Sequence, residues 1–265
     1  MSFQLTPEQR GIVNAPLVPL RVSAGAGTGK TTTIVLRLKA LISEGVAPET
    51  ALGITFTNKA AGELGNRLRA EFPDLTADGR EIQVTTYHGF AYRLLQEFGA
   101  LVGVERDTAV IGPAHQRQII EEGLGSDTYE HLDLTFPKGV VNKAFTLAGQ
   151  IGDNLLDATA VRSAAPAGDL VDDVWSTRLE LLSIVESYAA AKERLGVVDY
   201  ADLVGRSHQL VTEHPAIAHR IRARYCVVLL DEYQDTDPAQ RELLRAIFGG
   251  GFPITAVGDS DQTIY

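Results

Sequence analysis

Ser23-Ala-Gly-Ala-Gly-Thr-Gly-Lys-Thr31 is a run of small residues closed by a lysine and a hydroxyl, and its flanks decide the fold. Pro19-Leu-Arg-Val-Ser23 reads as a short strand leading in. Gly29 to Ser43 leads out with Ile34, Val35, Leu38, Leu41 and Ile42 at helical spacing. A strand that turns through small residues into a helix makes an anion cradle: backbone N–H groups turn inward and the positive end of the helix faces the ligand. Lys30 can then reach terminal phosphates, and the Thr31 hydroxyl can bind Mg²⁺. The strict pattern G-x-x-x-x-G-K-[ST] wants glycine at position 24, where Ala24 stands.

Outward from this loop, β-branched runs alternate with helical stretches. Ala51 to Phe56, Glu81 to Thr86, Cys226 to Leu230 and Pro253 to Val257 read as strands. Lys59 to Phe72, Gly89 to Phe98 and Pro238 to Phe248 read as helices. This alternation predicts an α/β P-loop NTPase fold, a RecA-like parallel sheet with helices on both faces. From Gln96 to Thr212 the periodicity is helical with no convincing strand, broken at Gly123-Leu-Gly125, Pro137-Lys-Gly139 and Ala164 to Gly168; Trp175 to Arg194 is its strongest helix. Charge changes there too: residues 96–205 hold 18 acidic and 8 basic side chains, whereas the flanks hold 16 of each. The expected organisation is a discontinuous domain of residues 1–95 and 213–265, interrupted by an all-helical insertion, 96–212.

A phosphate loop needs a second half, and Asp231-Glu232 supplies it directly after the apolar run Val227 to Leu230. A carboxylate at the C-terminal end of a buried strand can hold Mg²⁺, and its neighbour can polarise an attacking water. The single cysteine, Cys226, excludes a disulfide framework and reads as a packed core residue; six histidines show no metal spacing. No apolar run reaches the roughly 18 residues a membrane span needs, and the N-terminus lacks a signal-peptide pattern, so the cytoplasm is the expected compartment. A net charge of −10 argues against broad electrostatic binding of nucleic acid.

Further motifs sharpen the class. Asp231-Glu-Tyr-Gln-Asp-Thr236 and Gly258-Asp-Ser-Asp-Gln-Thr-Ile-Tyr265 resemble motifs II and III of the UvrD/Rep/PcrA helicases of superfamily 1A. Leu5-Thr-Pro-Glu-Gln-Arg10 is similar to that family's Q motif, and Ala24 to Thr31 to its motif I, where alanine commonly stands first. Thr55-Phe-Thr-Asn-Lys-Ala-Ala61 resembles motif Ia. Thr86-Tyr-His-Gly-Phe90 and Val198-Asp-Tyr-Ala-Asp-Leu203 resemble two further strand-contact motifs. The resemblance covers the chain from end to end. It implies a RecA-like domain 1A interrupted by a helical domain 1B, and 3′→5′ movement on single-stranded DNA, or at a junction with duplex, driven by ATP and Mg²⁺.

By the same resemblance Gln9 recognises adenine, and Ala24, Gly25, Ala26, Gly27, Thr28, Gly29, Lys30, Thr31 and Thr32 surround the nucleotide. Thr31 and Asp231 hold Mg²⁺, Glu232 activates water, and Gln262 senses the terminal phosphate. Thr55, Phe56, Thr57, Asn58, Thr86, Tyr87, His88, Tyr200 and Tyr265 form the strand track, in keeping with the aromatic platforms and polar donors a non-specific single-strand site uses. The family usually places arginine where Thr32 stands, packed on the adenine; a looser base site, or compensation by Arg37 one turn on, is expected.

Within these 265 residues neither a domain 2A with its arginine fingers nor a domain 2B is found, so residues 1–265 alone are expected to be monomeric and to turn over little ATP. Two alternatives are the motor part of a RecB- or AdnB-like helicase–nuclease and a non-catalytic, nucleotide-gated DNA-binding module.

Overall fold

A computed structural model describes residues 5–25, 27–73, 81–124, 129–166 and 173–259. The elements begin α1 (Pro7–Val13), β1 (Leu20–Ser23), α2 (Lys30–Ser43), β2 (Ala51–Thr55), α3 (Asn58–Glu71), β3 (Gln83–Thr86) and α4 (Tyr87–Phe98). Next come β4 (Ala109–Val110), α5 (Pro113–Gly123), α6 (Pro137–Asp153), α7 (Ala158–Ser163), α8 (Asp173–Leu195) and β5 (Val197–Val198). The chain continues through α9 (Tyr200–Glu213), α10 (Pro215–Arg222), β6 (Val227–Leu230), a 3-10 turn (Tyr233–Asp235), α11 (Pro238–Phe248) and β7 (Ile254–Gly258). Two compact units result: Met1–Arg93 with Val211–Thr236 and Arg241–Tyr265, and Leu94–Leu210 with Asp237–Gln240.

The first unit is built on a five-stranded sheet of order β1-β7-β6-β2-β3, every neighbouring pair parallel. The two strands last in sequence, β6 and β7, lie between β1 and β2, so this sheet is complete only after the chain has returned from the second unit. Composition follows position. Central β2 and β6 are buried at every residue, which is why Ala-Leu-Gly-Ile-Thr and Val-Val-Leu-Leu lack alternation, whereas the edges β1 and β3 are partly exposed. Ile34, Leu38 and Leu41 of α2 and Leu64 and Leu68 of α3 pack with Val22, Val227, Leu229 and Val257 of the sheet.

The second unit is mainly helical. α5, α6 and α8 meet around Ile119, Ile120, Val140, Val141, Ala144, Leu181, Ile184 and Tyr188. One expectation fails here. β4 and β5 form a short parallel bridge, extended by Ile111 N–H donating to Val198 O at 2.8 Å. Two-residue strands leave no periodicity to read. Pro137-Lys-Gly139 starts α6, because proline at the first helical position loses no hydrogen bond. Cys226 is also corrected: β6 begins at Val227, and the cysteine is exposed before it. Among the described residues no helix is long and apolar enough to cross a membrane.

Candidate functional site

Because the sheet is parallel, the C-terminal ends of all five strands share one edge. The phosphate loop leaves β1, Asp231-Glu232 leaves β6, and Asp259 leaves β7, on one half of that edge. Thr57-Asn58 leave β2 and Tyr87-His88 leave β3, on the other half. Ala26, Gln262 and Tyr265 lie outside the described residues.

Gly27 and Gly29 take φ of 73° and 85°, a region that favours glycine, whereas Ala24 has no positive φ, so alanine there costs the loop nothing. Ala24 N–H donates to Gly258 O at 3.0 Å, and Thr28 Oγ1 donates to Gly25 O at 2.8 Å. α2 then opens with Lys30 and Thr31. Thr31 Oγ1 lies 3.5 Å from Asp231 Oδ2, uniting two residues 200 positions apart. Among the described residues no three His, Cys, Asp or Glu side chains gather as a metal centre. A hydroxyl beside one carboxylate instead suits Mg²⁺, which prefers few protein oxygens plus phosphate.

Asp231 is 5% exposed. Burial, then the charge of Glu232, pushes its carboxyl above the usual range, opposed by the Glu232 N–H, Lys30 and Thr31. A divalent cation would reverse that logic. Lys30 Nζ stands 3.3 Å from Glu232 Oε2. Glu232 has φ 51°, a left-handed backbone that costs a non-glycine residue on the order of 1 kcal/mol and is typical of functional turns. Gln234, to which sequence reasoning gave no role, holds this turn. Its Nε2 donates to Glu232 Oε2 at 2.8 Å and its Oε1 accepts from Asp259 N–H at 2.9 Å. An amide two residues past a carboxylate pair was its only sequence signal.

A cavity of about 400 Å³ adjoins the loop, lined by Thr6, Gln9 and Ile12 on one side and Ala24, Gly25, Thr28 and Lys30 on the other. Gln9 joins the walls: its Oε1 accepts from Thr6 N–H at 3.0 Å and its Nε2 donates to Thr28 O at 2.9 Å. Thr32 is half-buried on α2. Arg37 is not a substitute for a base-stacking arginine. It is fully buried, bonded to Thr255 Oγ1 and to the carbonyls of Ile12, Ala15 and Pro16.

The candidates on the other half of the edge divide. Tyr87 is 3% exposed and its hydroxyl bonds to Thr236 Oγ1 at 2.8 Å, so its ring is a core element and not a stacking platform. Thr55 is fully buried, donating to Thr57 O, and the buried Thr86 hydroxyl accepts from Gly89 N–H. Strand ends next to a parallel core are buried by the sheet itself. Phe56 and His88 are half-buried, and burial lowers the His88 pKa, so its imidazole is neutral at pH 7. Thr57 and Asn58 are exposed, with Thr57 capping α3 through Ala60 N–H. Tyr200, in the second unit, is 47% exposed at the start of α9.

The profile of the UvrD/REP helicase N-terminal domain matches residues 5–265. The chain is 30% identical over 262 residues to DNA helicase II of Escherichia coli (strain K12), covering 98% of this chain and 34% of that protein. It is 32% identical over 269 residues to ATP-dependent DNA helicase UvrD2 of Mycobacterium tuberculosis (strain ATCC 25618 / H37Rv), covering 98% of this chain and 37% of that one. The chain thus spans about a third of the length of the curated relatives it matches. With a phosphate loop, a carboxylate pair and a Q-motif helix on one edge of a parallel sheet, this chain belongs to the UvrD/REP helicase N-terminal domain family.

Proposed function

We propose that this protein supplies the ATP-binding domain 1A (the sheet unit) and the helical domain 1B of a 3′→5′ translocase on single-stranded DNA. The observation that carries the reading is the shared sheet edge, with nucleotide motifs after β1, β6 and β7 and strand motifs after β2 and β3. The names of the relatives, DNA helicase II and ATP-dependent DNA helicase UvrD2, support the same activity.

In this reading the loop 24–31 cradles the phosphates with its N–H groups, and Lys30 leaves Glu232 to pair with the terminal phosphate. Thr31 and Asp231 would hold Mg²⁺, which would offset charge on the transferring phosphoryl group. Glu232, held by Gln234, orients the attacking water and accepts its proton. Gln9 retains one N–H and one acceptor lone pair beyond its two bonds, the complement an adenine edge presents. Gln262 serves as the phosphate sensor. Phe56, Thr57, Asn58, His88, Tyr200 and Tyr265 contact the strand by stacking and neutral donors, which suits a protein of net charge −10. Tyr87, Thr55 and Thr86 support this track from within.

The test is a titration of a fluorescent ATP analogue with Mg²⁺, with and without a short single strand, beside Lys30→Ala. Saturable binding that Lys30→Ala abolishes and DNA strengthens is expected. Binding indifferent to Lys30→Ala would sink the nucleotide assignment.

A further inference from the structure

Arg37 is a fully buried cation on the phosphate-loop helix. Its four bonds converge on one neighbour and one strand. Nη1 donates to Ile12 O at 2.7 Å and Ala15 O at 2.9 Å, Nη2 to Pro16 O at 3.1 Å, and Nε to Thr255 Oγ1 at 2.8 Å. Ile12 belongs to the last turn of α1, where its carbonyl also accepts from Ala15 N–H at 3.3 Å, and a cation is favoured at that end. Arg37 therefore closes the C-terminus of α1 and staples it to β7.

α1 is also tied at its start. Thr6 and Gln9 form a capping box, and Gln9 Nε2 donates to Thr28 O of the phosphate loop. One face of this seven-residue helix is a wall of the cavity beside the loop, through Thr6, Glu8, Gln9 and Ile12. Seven residues are too few to hold a position by helix propensity. Its place is set by packing and attachments: Ile12 and the buried Val13 on the core, Gln9 at the cavity wall and Arg37 behind it. The phosphate loop itself rests on α2 and on β7 through Ala24 N–H and Gly258 O, and it meets α1 through the Gln9 bond to Thr28 O.

We propose that Arg37 is a positioning residue for nucleobase selection: it fixes the α1 wall at the distance from the phosphate loop that a purine base requires. This rests on the nucleotide-site reading above. The carbonyl fork needs a planar donor with several N–H groups in fixed directions, which glutamine lacks and lysine supplies only in part. Losing the staple lets α1 shift, so contacts to the base weaken while contacts to the phosphates stay.

The experiment is a set of equilibrium titrations with Mg²⁺ and three probes: ATP, GTP and inorganic tripolyphosphate. The proteins are the wild type, Arg37→Gln, Arg37→Lys, Thr255→Val and Lys30→Ala, each checked for folding by circular dichroism. The readout is the ratio of ATP affinity to tripolyphosphate affinity. In Arg37→Gln that ratio is expected to fall by about tenfold or more, with tripolyphosphate affinity held within about twofold. Arg37→Lys should recover part of the ratio, and Thr255→Val, which removes one acceptor, should lower it by about two- to threefold.

Equal weakening of all three probes would mean that Arg37 only stabilises the fold, and would overturn the proposal. An unchanged ratio in folded Arg37→Gln would overturn it as well. If Arg37→Gln does not fold, Thr255→Val and Arg37→Lys decide by the same ratio. Failure of the nucleotide-site reading looks different: wild type that binds none of the probes, or binds them independently of Lys30, removes the site and this role with it.

Discussion

Arg37 and Lys192 are both buried cations, one in each unit, and they are held by opposite chemistry. Arg37 meets a hydroxyl and three backbone carbonyls, all neutral. Burial draws its pKa below the usual value, and the charge of Glu44 draws it back. Lys192 Nζ meets two carboxylates, Asp199 Oδ2 at 2.7 Å and Asp202 Oδ2 at 2.5 Å. Those two acids also cap α9 reciprocally, each accepting from the other's N–H, and Tyr188 donates its hydroxyl to Asp199. One lysine serves two acids. Burial raises both, but Lys192 and the donors around Asp199 leave that carboxyl below its usual range. Asp202, facing the Asp199 charge, stays above its own. The neutral cluster fixes a wall; the ionic one fixes the end of a helix that carries Tyr200.

The comparison predicts unequal costs. Lys192→Met leaves the buried Asp199 and the partly buried Asp202 carboxylates without a cation, and removing one partner of such a cluster costs about 3–5 kcal/mol. Chemical denaturation at pH 7 measures it. The penalty should shrink as pH falls, because without the lysine burial raises both carboxyls and protonating them is stabilising, a share lost as pH rises through their folded pKa. A pH-independent penalty would show that packing, not charge, dominates the cluster. Arg37→Gln leaves neutral carbonyls, some of which water can reach, so a smaller loss of about 2–3 kcal/mol is expected in the same assay. A greater loss than for Lys192→Met would break the contrast.

Neither node was legible in the sequence, for physical reasons. Arg37 sits on a helix among Leu38 and Lys39, where arginine normally reads as solvated, and its partners are backbone carbonyls, which any residue carries. Lys192-Glu-Arg194 looks like a charged helix end, and only the fold brings Asp199 and Asp202 against it. What was legible depended on repetition or on chemistry fixed by residue type. The alternation of strands with helices marks a parallel sheet, and the sequence places α11 at its observed ends, Pro238–Phe248. The meeting of Thr31 with Asp231 follows from strand ends sharing an edge. Tyr87 was misread because an aromatic at a strand end looks the same whether it faces solvent or core, and hydrogen bonding to Thr236 has no local signature.

A third, half-buried charge grades the comparison. Asp237 caps α11, its Oδ1 accepting from Gln240 N–H at 2.7 Å. Burial, reinforced by the charge of Asp153, pushes its carboxyl from 3.8 up to about 6. Its folded pKa is raised, so its stabilising share is present below about pH 4 and is lost as pH rises through about 6. Asp237→Asn keeps a capping oxygen and cannot ionise. It should flatten the pH dependence of stability between those limits and gain on the order of 1 kcal/mol at pH 7, after allowance for solvent screening. A variant with an unaltered pH profile would mean that this carboxylate is solvated in the folded protein.

The smallest effect belongs to the best-formed ion pair on the surface. Arg162 of α7 grips Glu186 of α8 with two bonds, Nη2 to Oε2 at 2.7 Å and Nε to Oε1 at 3.3 Å, and Nη2 also reaches Ser183 Oγ. Judged by distance alone it equals the Lys192 cluster. But its side chains are 42% and 39% exposed against 10% and 7% for Lys192 and Asp199. Water already solvates each exposed partner, so losing the other strands no charge. Arg162→Ala should therefore cost at most about 0.5 kcal/mol, and less in 1 M salt. A loss that approached that of Lys192→Met would show that geometry, not burial, sets the worth of these contacts. The ranking of Lys192 above Arg37, and of both above the surface, would then have to be rebuilt on hydrogen-bond count.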